Sequence, residues 1–253
     1  MNNTVVTKTR FFTEEQLETL KNSRIPQHIA IIPDGNRRWA KQQQLNVNTG
    51  YNAGADNIMD IVLAAKEIGI KVLTLYVFST ENWSRDPDEV QALLWLLDSY
   101  LKEQTQTMLD NGIRFQTIGD SWRMPQNVVE TVNNTKDLTR HCQDIEVVFA
   151  LNYGGRNEIT RAFHRIMEAI EKGDVKQKHV DEKLISKFLD SAQWEDPDLL
   201  IRTSGISRFS NFLLWQISYA EFYMSPVYWP DFKPTHLLEA ISEFQKRERR
   251  WGA

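Results

Sequence analysis

Short apolar runs, each flanked by turn residues, alternate along this chain with longer amphipathic stretches, and that alternation limits the fold more than any other feature. "HIAIIP" (28–33), "KVLTLYVFS" (71–79), "IRFQTIG" (113–119), "IEVVFALNY" (145–153) and "LLIRTS" (199–204) are rich in β-branched or aromatic residues and apolar at most positions. Strands buried on both faces read this way. "AEFYMS" (220–225) predicts a late sixth strand. Strands separated by helices pair in parallel, with the helices covering the faces of the sheet.

The intervening stretches carry helix signals. Thr13 with Gln16 makes a capping box for a first helix. "AGADNIMDIVLAAKEIG" (53–69) is helical, with Gly69 as its stop. Asp86-Pro87-Asp88-Glu89 puts an N-cap, a proline at the first helical position and acidic residues in order. The helix it starts is predicted over 88–110, ending at Asn111-Gly112. Further helices are predicted near 125–139, 156–171, 181–190 and 235–250. No repeat or linker interrupts the pattern. Residues 1–253 therefore read as one α/β domain, a mainly parallel central sheet flanked by helices, with 1–26 an N-terminal extension carrying one short helix.

A chain of 253 residues that is 41% apolar can build one sizeable core. Its net charge of −4 argues against a nucleic-acid partner. Cys142 is the only cysteine, so neither an internal disulfide nor a cysteine-rich zinc site is expected, and a reducing, cytoplasmic setting is. The polar start "MNNTVVTKTRFFTEEQ" does not read as a signal peptide. No apolar run approaches the ~18 residues that span a bilayer. Membrane contact is expected to be peripheral, through a lipid product.

In parallel sheets, ligands bind outside the carboxyl ends of the strands. The first strand delivers "PDGNRRWAK", the second "STENWSR", the fifth "RTSGISRFSNF". "AEF" of the late strand is expected to bring Glu221 to the same edge. These ends collect the carboxylates Asp34, Glu81 and Glu221 and the cations Arg37, Arg38, Arg85, Arg202 and Arg208. Arginines with backbone amides at strand–helix turns suit phosphate, which guanidinium groups grip bidentately. A carboxylate among them suits Mg²⁺, an ion that takes few protein ligands and shares phosphate oxygens. Each residue also has an ordinary reading: a solvated surface arginine, a turn at Asp-Gly, a core tryptophan at Trp39, Trp83 or Trp215. No P-loop or dinucleotide fingerprint is present.

"HIAIIPDGNRRWAK", "LTLYVFSTENWSR", "ALNYGGRNEI", "PDLLIRTSG" and "RFSNFLLWQISYAEFY" occur in this order. Together they closely resemble the cis-prenyltransferases, in particular the bacterial undecaprenyl diphosphate synthases, from about Gln27 to Trp251. The resemblance implies an Mg²⁺-dependent homodimer. It would condense an allylic diphosphate, usually farnesyl diphosphate, with successive isopentenyl diphosphates, each new double bond being cis, to make the lipid carrier of cell-wall sugars. It also implies site residues. Asp34 would be the essential aspartate beside Mg²⁺. Gly35, Asn36, Arg37 and Arg38 would form the diphosphate-cradling turn, with Trp39 beside it. Ser79, Thr80 and Glu81 would form a second substrate segment, followed by Asn82, which assists proton removal, then Trp83 and Arg85. Arg202, Arg208 and Ser210 would bind isopentenyl diphosphate. Glu221 would be a second metal-associated carboxylate, supplied by the partner subunit.

Three positions depart from the family pattern. Val47 stands where an arginine is expected, Tyr51 where a histidine is expected, and Ile206 where a glutamate is expected. The resemblance implies that the expected arginine and histidine contact the allylic diphosphate, so an allylic site weakened or re-tuned, but not abolished, is expected, since Asp34, Arg37 and Arg38 remain. A growing chain would need an apolar tunnel, for which Ala92, Leu93, Leu96, Leu97 and Leu101 have helical spacing; ordinary core explains the same pattern. The alternatives to an undecaprenyl product are a short-chain or irregular isoprenyl diphosphate, a catalytically weakened homologue, a non-catalytic partner subunit, and a phosphate-binding regulatory domain.

Overall fold

The computed structural model describes residues 11–247. Six strands form one parallel sheet: β1 (His28–Ile32), β2 (Val72–Ser79), β3 (Ile113–Gly119), β4 (Ile145–Tyr153), β5 (Leu199–Arg202) and β6 (Glu221–Met224), in the order β3-β4-β2-β1-β5-β6. All six lie where the apolar runs predict.

Among the described residues eight α-helices connect and cover them: α1 (Glu14–Lys21), α2 (Asn36–Gln42), α3 (Val47–Ile68), α4 (Pro87–Asp110), α5 (Gln126–Thr139), α6 (Gly155–Glu171), α7 (Glu182–Phe188) and α8 (Pro234–Lys246). The expected caps form. Thr13 and Gln16 exchange both capping-box bonds, and Asp86 accepts from the Asp88 amide at 2.9 Å. The predicted C-terminal helix ends at Lys246; its positions 248–250, like positions 1–10, lie outside the described residues.

Two elements differ from expectation. The segment after β1 is helix α2, with Gly35 as its N-cap in the left-handed region (φ 113°). Helix α3 begins at Val47 rather than 53, because Asn46 Oδ1 caps it by accepting from the Thr49 amide at 2.9 Å. Val47 and Tyr51 therefore sit in the first turns of a 22-residue helix. Two glycines let α3 lie against α2: a Cβ on Gly50 would fall 2.3 Å from the Asn36 carbonyl oxygen, and one on Gly54 2.7 Å from Asn36 Oδ1.

Alternation along each strand divides the core. Ile29, Ile31, Leu73, Leu75, Phe115 and Phe149 face a large layer with α1, α3, α4, α5 and α8. Ala30, Ile32, Val148, Ala150 and Leu200 face a smaller layer closed by Phe212 and Leu213. From β1 the chain runs to β2, β3 and β4 on one side, then crosses to β5 and β6 on the other. The boundary between β1 and β5 is the topological switch point, where the crevice of such sheets opens.

Candidate active site

Register places the switch-point residues. Ile32 at the end of β1 pairs with Arg202 at the end of β5. Asp34 lies two residues past that pair, and Thr203 Oγ1 pins its backbone by accepting the Asp34 amide at 2.8 Å and donating to the Asp34 carbonyl at 2.6 Å. The Asp34 carboxylate accepts from Arg202 Nη2 at 2.7 Å and from Arg38 Nη2 at 3.1 Å. Burial opposes its charge, but the hydrogen bonds and charges of Arg202 and Arg38 prevail and hold it below the usual carboxylate range.

Arg202 is buried, and its other Nη donates to Ser210 Oγ at 2.7 Å and to the Arg208 carbonyl. Arg38 also donates to Ser204 Oγ at 2.5 Å and lies over the Tyr228 ring. The loop carrying Arg208 and Ser210 is strained: Ser210, Asn211 and Leu213 all have positive φ. Asn211 holds it in place. Its carbonyl accepts from the Gly155 amide at 2.7 Å, its Oδ1 from the Arg156 amide at 2.9 Å, and its Nδ2 donates to Glu81 Oε1 at 2.8 Å. Asn211 was not singled out from sequence; the available signal was its place between two expected site residues in "RFSNF".

The second segment forms a 3-10 turn, Thr80–Ser84, after β2. Asn82 Oδ1 accepts from the Ser79 amide at 3.0 Å, which fixes the amide group's orientation. Burial raises the Glu81 carboxyl, but hydrogen bonds from Asn211, Ser79 and Thr80 outweigh it and the net direction is down. On the rim, Arg85 Nη1 donates to Glu89 Oε1 and to Tyr51 Oη, each at 3.0 Å.

Asp34, Asn36, Ser79, Glu81, Asn82, Arg85, Arg202, Arg208 and Ser210 thus line one polar cleft of about 600 Å³. A side lobe of about 410 Å³ adds Gly35, Arg37, Arg38 and Ile206. Arg202 Nε and Asn36 Oδ1 are buried there without a hydrogen-bond partner among the described residues. Beneath the cleft lies an apolar cavity of about 100 Å³ between β2, α3 and α4. The two share Pro33, Asn36, Tyr51, Tyr76, Val77 and Leu93. A register shift in the β2–β4 pairing between Tyr76 and Phe78 marks this junction. Leu93, Leu96 and Leu97 line the cavity, whereas Leu101 is fully buried core.

Four expected residues are placed elsewhere. The Trp39 indole turns away and donates to Asp231 at 2.9 Å. Trp83 packs edge-on against Phe78 and donates to Asn152 at 2.7 Å, beside the cleft rather than in it. Thr80 donates to Glu81 Oε2 at 3.2 Å and abuts Gly154, where a Cβ would meet its Oγ1 at 2.6 Å. Glu221 corrects a sequence expectation. It opens β6 and pairs with Leu199, at the amino end of the strands, because β6 runs parallel to β5. Within one chain it is not at the edge that holds Asp34, and it binds Arg247 at 2.8 Å instead.

Among the described residues no group of three or more His, Cys, Asp or Glu side chains could by itself hold a metal ion. Asp34 offers one carboxylate and Asn36 Oδ1 an unpartnered amide oxygen, both on residues that line an arginine-rich cleft. That donor set fits an ion whose remaining ligands are phosphate oxygens and water. No helix among the described residues is long and apolar enough to cross a membrane.

A parallel sheet thus carries an arginine-rich cleft at its switch point, beside an apolar cavity that shares six of its lining residues. Comparison with known proteins identifies the family. The sequence profile of the undecaprenyl diphosphate synthase family of prenyltransferases matches residues 32–252. The chain is 44% identical to an isoprenyl transferase of Chlorobaculum tepidum over 93% of its length and 89% of that protein's. It is 42% identical to one of Streptococcus thermophilus over 96% and 98%. Among solved structures it resembles lavandulyl diphosphate synthase from Lavandula x intermedia in complex with dimethylallyl diphosphate, with a TM-score of 0.88 and 33% identity over 90% and 99% of the two chains. It also resembles a probable undecaprenyl diphosphate synthase from Campylobacter jejuni, with a TM-score of 0.77 and 34% identity over 91% and 100%. The chain belongs to this family and is an isoprenyl transferase of the cis-prenyltransferase fold.

Proposed function

We propose that this enzyme condenses farnesyl diphosphate with successive isopentenyl diphosphates to a cis-polyprenyl diphosphate of undecaprenyl length, for the lipid carrier of cell-wall sugars. One observation carries this reading: the cleft around Asp34 and Arg202 and the apolar cavity share Tyr51, Tyr76 and Val77 in their walls. A diphosphate head fits the first and a prenyl tail the second.

In this reading Arg37, Arg38 and the start of α2 hold the allylic diphosphate, and Arg202, Arg208 and Ser210 the isopentenyl diphosphate. Asp34 would hold Mg²⁺ together with diphosphate oxygens. Mg²⁺ bound there supplies charge neutralisation for the departing diphosphate. The arginines stabilise the same developing charge. The isopentenyl double bond attacks the allylic carbon as its bond to the diphosphate oxygen breaks, and a proton then leaves the new chain. A neutral amide is a poor base, so Asn82, oriented by the Ser79 amide, positions the diphosphate or water that takes the proton. Glu221 would reach this site only from a second copy, in keeping with a homodimer. A cytoplasmic enzyme that touches membrane only through its product completes the reading.

A second reading, a short-chain or irregular isoprenyl diphosphate, is favoured by the size of the cavity. Tyr100 and Phe149 are among its lining residues, with ring centroids 6.2 Å apart. A cavity of about 100 Å³ suits roughly one five-carbon unit, since about 150 Å³ accommodates benzene. The likeness to lavandulyl diphosphate synthase points the same way.

Incubating the purified protein with farnesyl diphosphate, labelled isopentenyl diphosphate and Mg²⁺, then sizing the products, tests both. An undecaprenyl-length product supports the first reading, a product of three or four isoprene units the second, and no product overturns both.

A further inference from the structure

The side lobe of the cleft is lined by Arg37, Arg38, Arg85 and Arg208, yet three of these cations already face a carboxylate of the protein: Arg38 faces Asp34, and Arg37 and Arg85 both face Glu89. Glu89 stands in the first turn of α4, behind Arg85 and Tyr51, with its side chain only 16% exposed. One oxygen, Oε1, gathers three groups: Tyr51 Oη donates to it at 2.5 Å, Arg85 Nη1 donates at 3.0 Å, and Arg37 Nη1 lies at 3.6 Å. The amino end of α4 favours a negative charge there. Tyr51 therefore spends its proton on Glu89, and its hydroxyl oxygen accepts from Arg85. Burial and the bond to Glu89 push the Tyr51 phenol up, so it stays protonated as this donor.

We propose that Glu89 is an affinity-determining residue of the allylic site, an internal carboxylate that competes with a diphosphate for Arg37 and Arg85 and is held against them by Tyr51. The inference rests on the reading of this lobe as a diphosphate site. A diphosphate entering it exchanges its oxygens for Glu89 Oε1 at two guanidiniums, and the displaced carboxylate opposes its charge. Val47 adds no compensating cation at the start of α3. The residues that make this chain unusual at the allylic site thus set its affinity through Glu89.

Titration calorimetry with inorganic pyrophosphate tests this without requiring turnover. Glu89→Gln keeps the side chain's size and its acceptor oxygen but removes the charge, and Glu89→Ala removes the whole group. Glu103→Gln, an exposed site on the same helix, controls for net charge. Binding is expected to tighten about tenfold in both Glu89 variants, as befits releasing charge-assisted bonds, and to stay unchanged in Glu103→Gln. The rise in melting temperature caused by pyrophosphate is expected to grow in parallel, whether or not the ligand-free variants are less stable. Unchanged or weaker binding in both Glu89 variants overturns the competition. Equal tightening in Glu103→Gln overturns it too, by assigning the effect to net charge. Failure of wild type to bind pyrophosphate, or undiminished binding in Arg38→Ala, overturns the diphosphate reading itself and the inference with it.

Discussion

The Asp34 carboxylate and the Arg202 guanidinium, 168 positions apart, meet at 2.7 Å, so the aspartate read as the allylic and metal residue and the arginine read as the isopentenyl residue form one ion pair. Their strands are neighbours at the switch point, and the register opposes Ile32 to Arg202. Arg202 spends its other contacts on Ser210 and the Arg208 carbonyl. A planar fork serves all three partners at once, and an ammonium does not. Arg202→Lys is expected to lower kcat/KM by about a hundredfold, the scale of one lost preorganised donor. Asp34→Ala leaves the buried guanidinium unpaired and is expected to lower stability by about 3 kcal/mol as well as activity. Steady-state kinetics and urea unfolding measure the two effects separately. An Asp34→Ala protein as stable as wild type would contradict the pairing.

Gly35 must remain glycine for two reasons. Its φ is 113°, and a Cβ there would stand 2.7 Å from Tyr228 Cδ1. Gly35→Ala is expected to cost about 1–3 kcal/mol from backbone strain alone. Because Gly35 joins Asp34 to α2, it should also lower activity well beyond the loss of folded protein. Urea unfolding beside kinetics on the folded fraction checks both parts.

His28 gives the fold a pH dependence. Its Nδ1 donates to the Glu195 carbonyl and its Nε2 accepts from Thr74 Oγ1, each at 2.7 Å, inside the sheet. Burial, opposed by the Glu195 carbonyl and the Asp198 charge, lowers its pKa from 6.5 to about 4. Between those values the unfolded chain binds the proton and the folded one does not. Stability from this residue is therefore complete above about pH 6.5 and is lost as pH falls toward 4, by roughly 2 kcal/mol at pH 5. Urea titrations at pH 7.5 and 5 should show a fall of that order, and His28→Gln should reduce it.

In the proposed reading the residues that line the apolar cavity, Phe149 among them, govern product length. Phe149→Leu is expected to lengthen the products by at least one isoprene unit, read by chromatography of the labelled chains. Tyr100→Phe removes a buried hydroxyl that has no partner among the described residues. It is expected to raise stability by up to about 1 kcal/mol, since an unpaired buried hydroxyl carries an uncompensated desolvation cost. A drop in melting temperature would show that the hydroxyl has a partner.

Much of this molecule was legible in its sequence because the relevant physics is local. A strand buried on both faces has to be apolar at consecutive positions, which is why all six strands could be located from "HIAII" to "EFYM". Capping depends on residues three apart, which is why Thr13 with Gln16 and Asp86 with Pro87 marked true helix starts. The cap at Asn46 obeys the same rule but was masked by the polar stretch around it, so α3 was read six residues short.

What the chain alone determined was the set of groups carried to the strand ends: Asp34, Arg38, Glu81, Arg202, Arg208 and Ser210. What only the tertiary structure decided was which of them meet. Strand order made neighbours of Asp34 and Arg202, and parallel register put Glu221 at the opposite end of the sheet from them. Packing turned Trp39 to Asp231 and set Asn211 as the strut between Glu81 and α6. Sequence carries local preference along a line, whereas a site is an intersection of elements distant on that line. The coupling of Tyr51 to Glu89, 38 residues apart, existed only once α3 and α4 had packed.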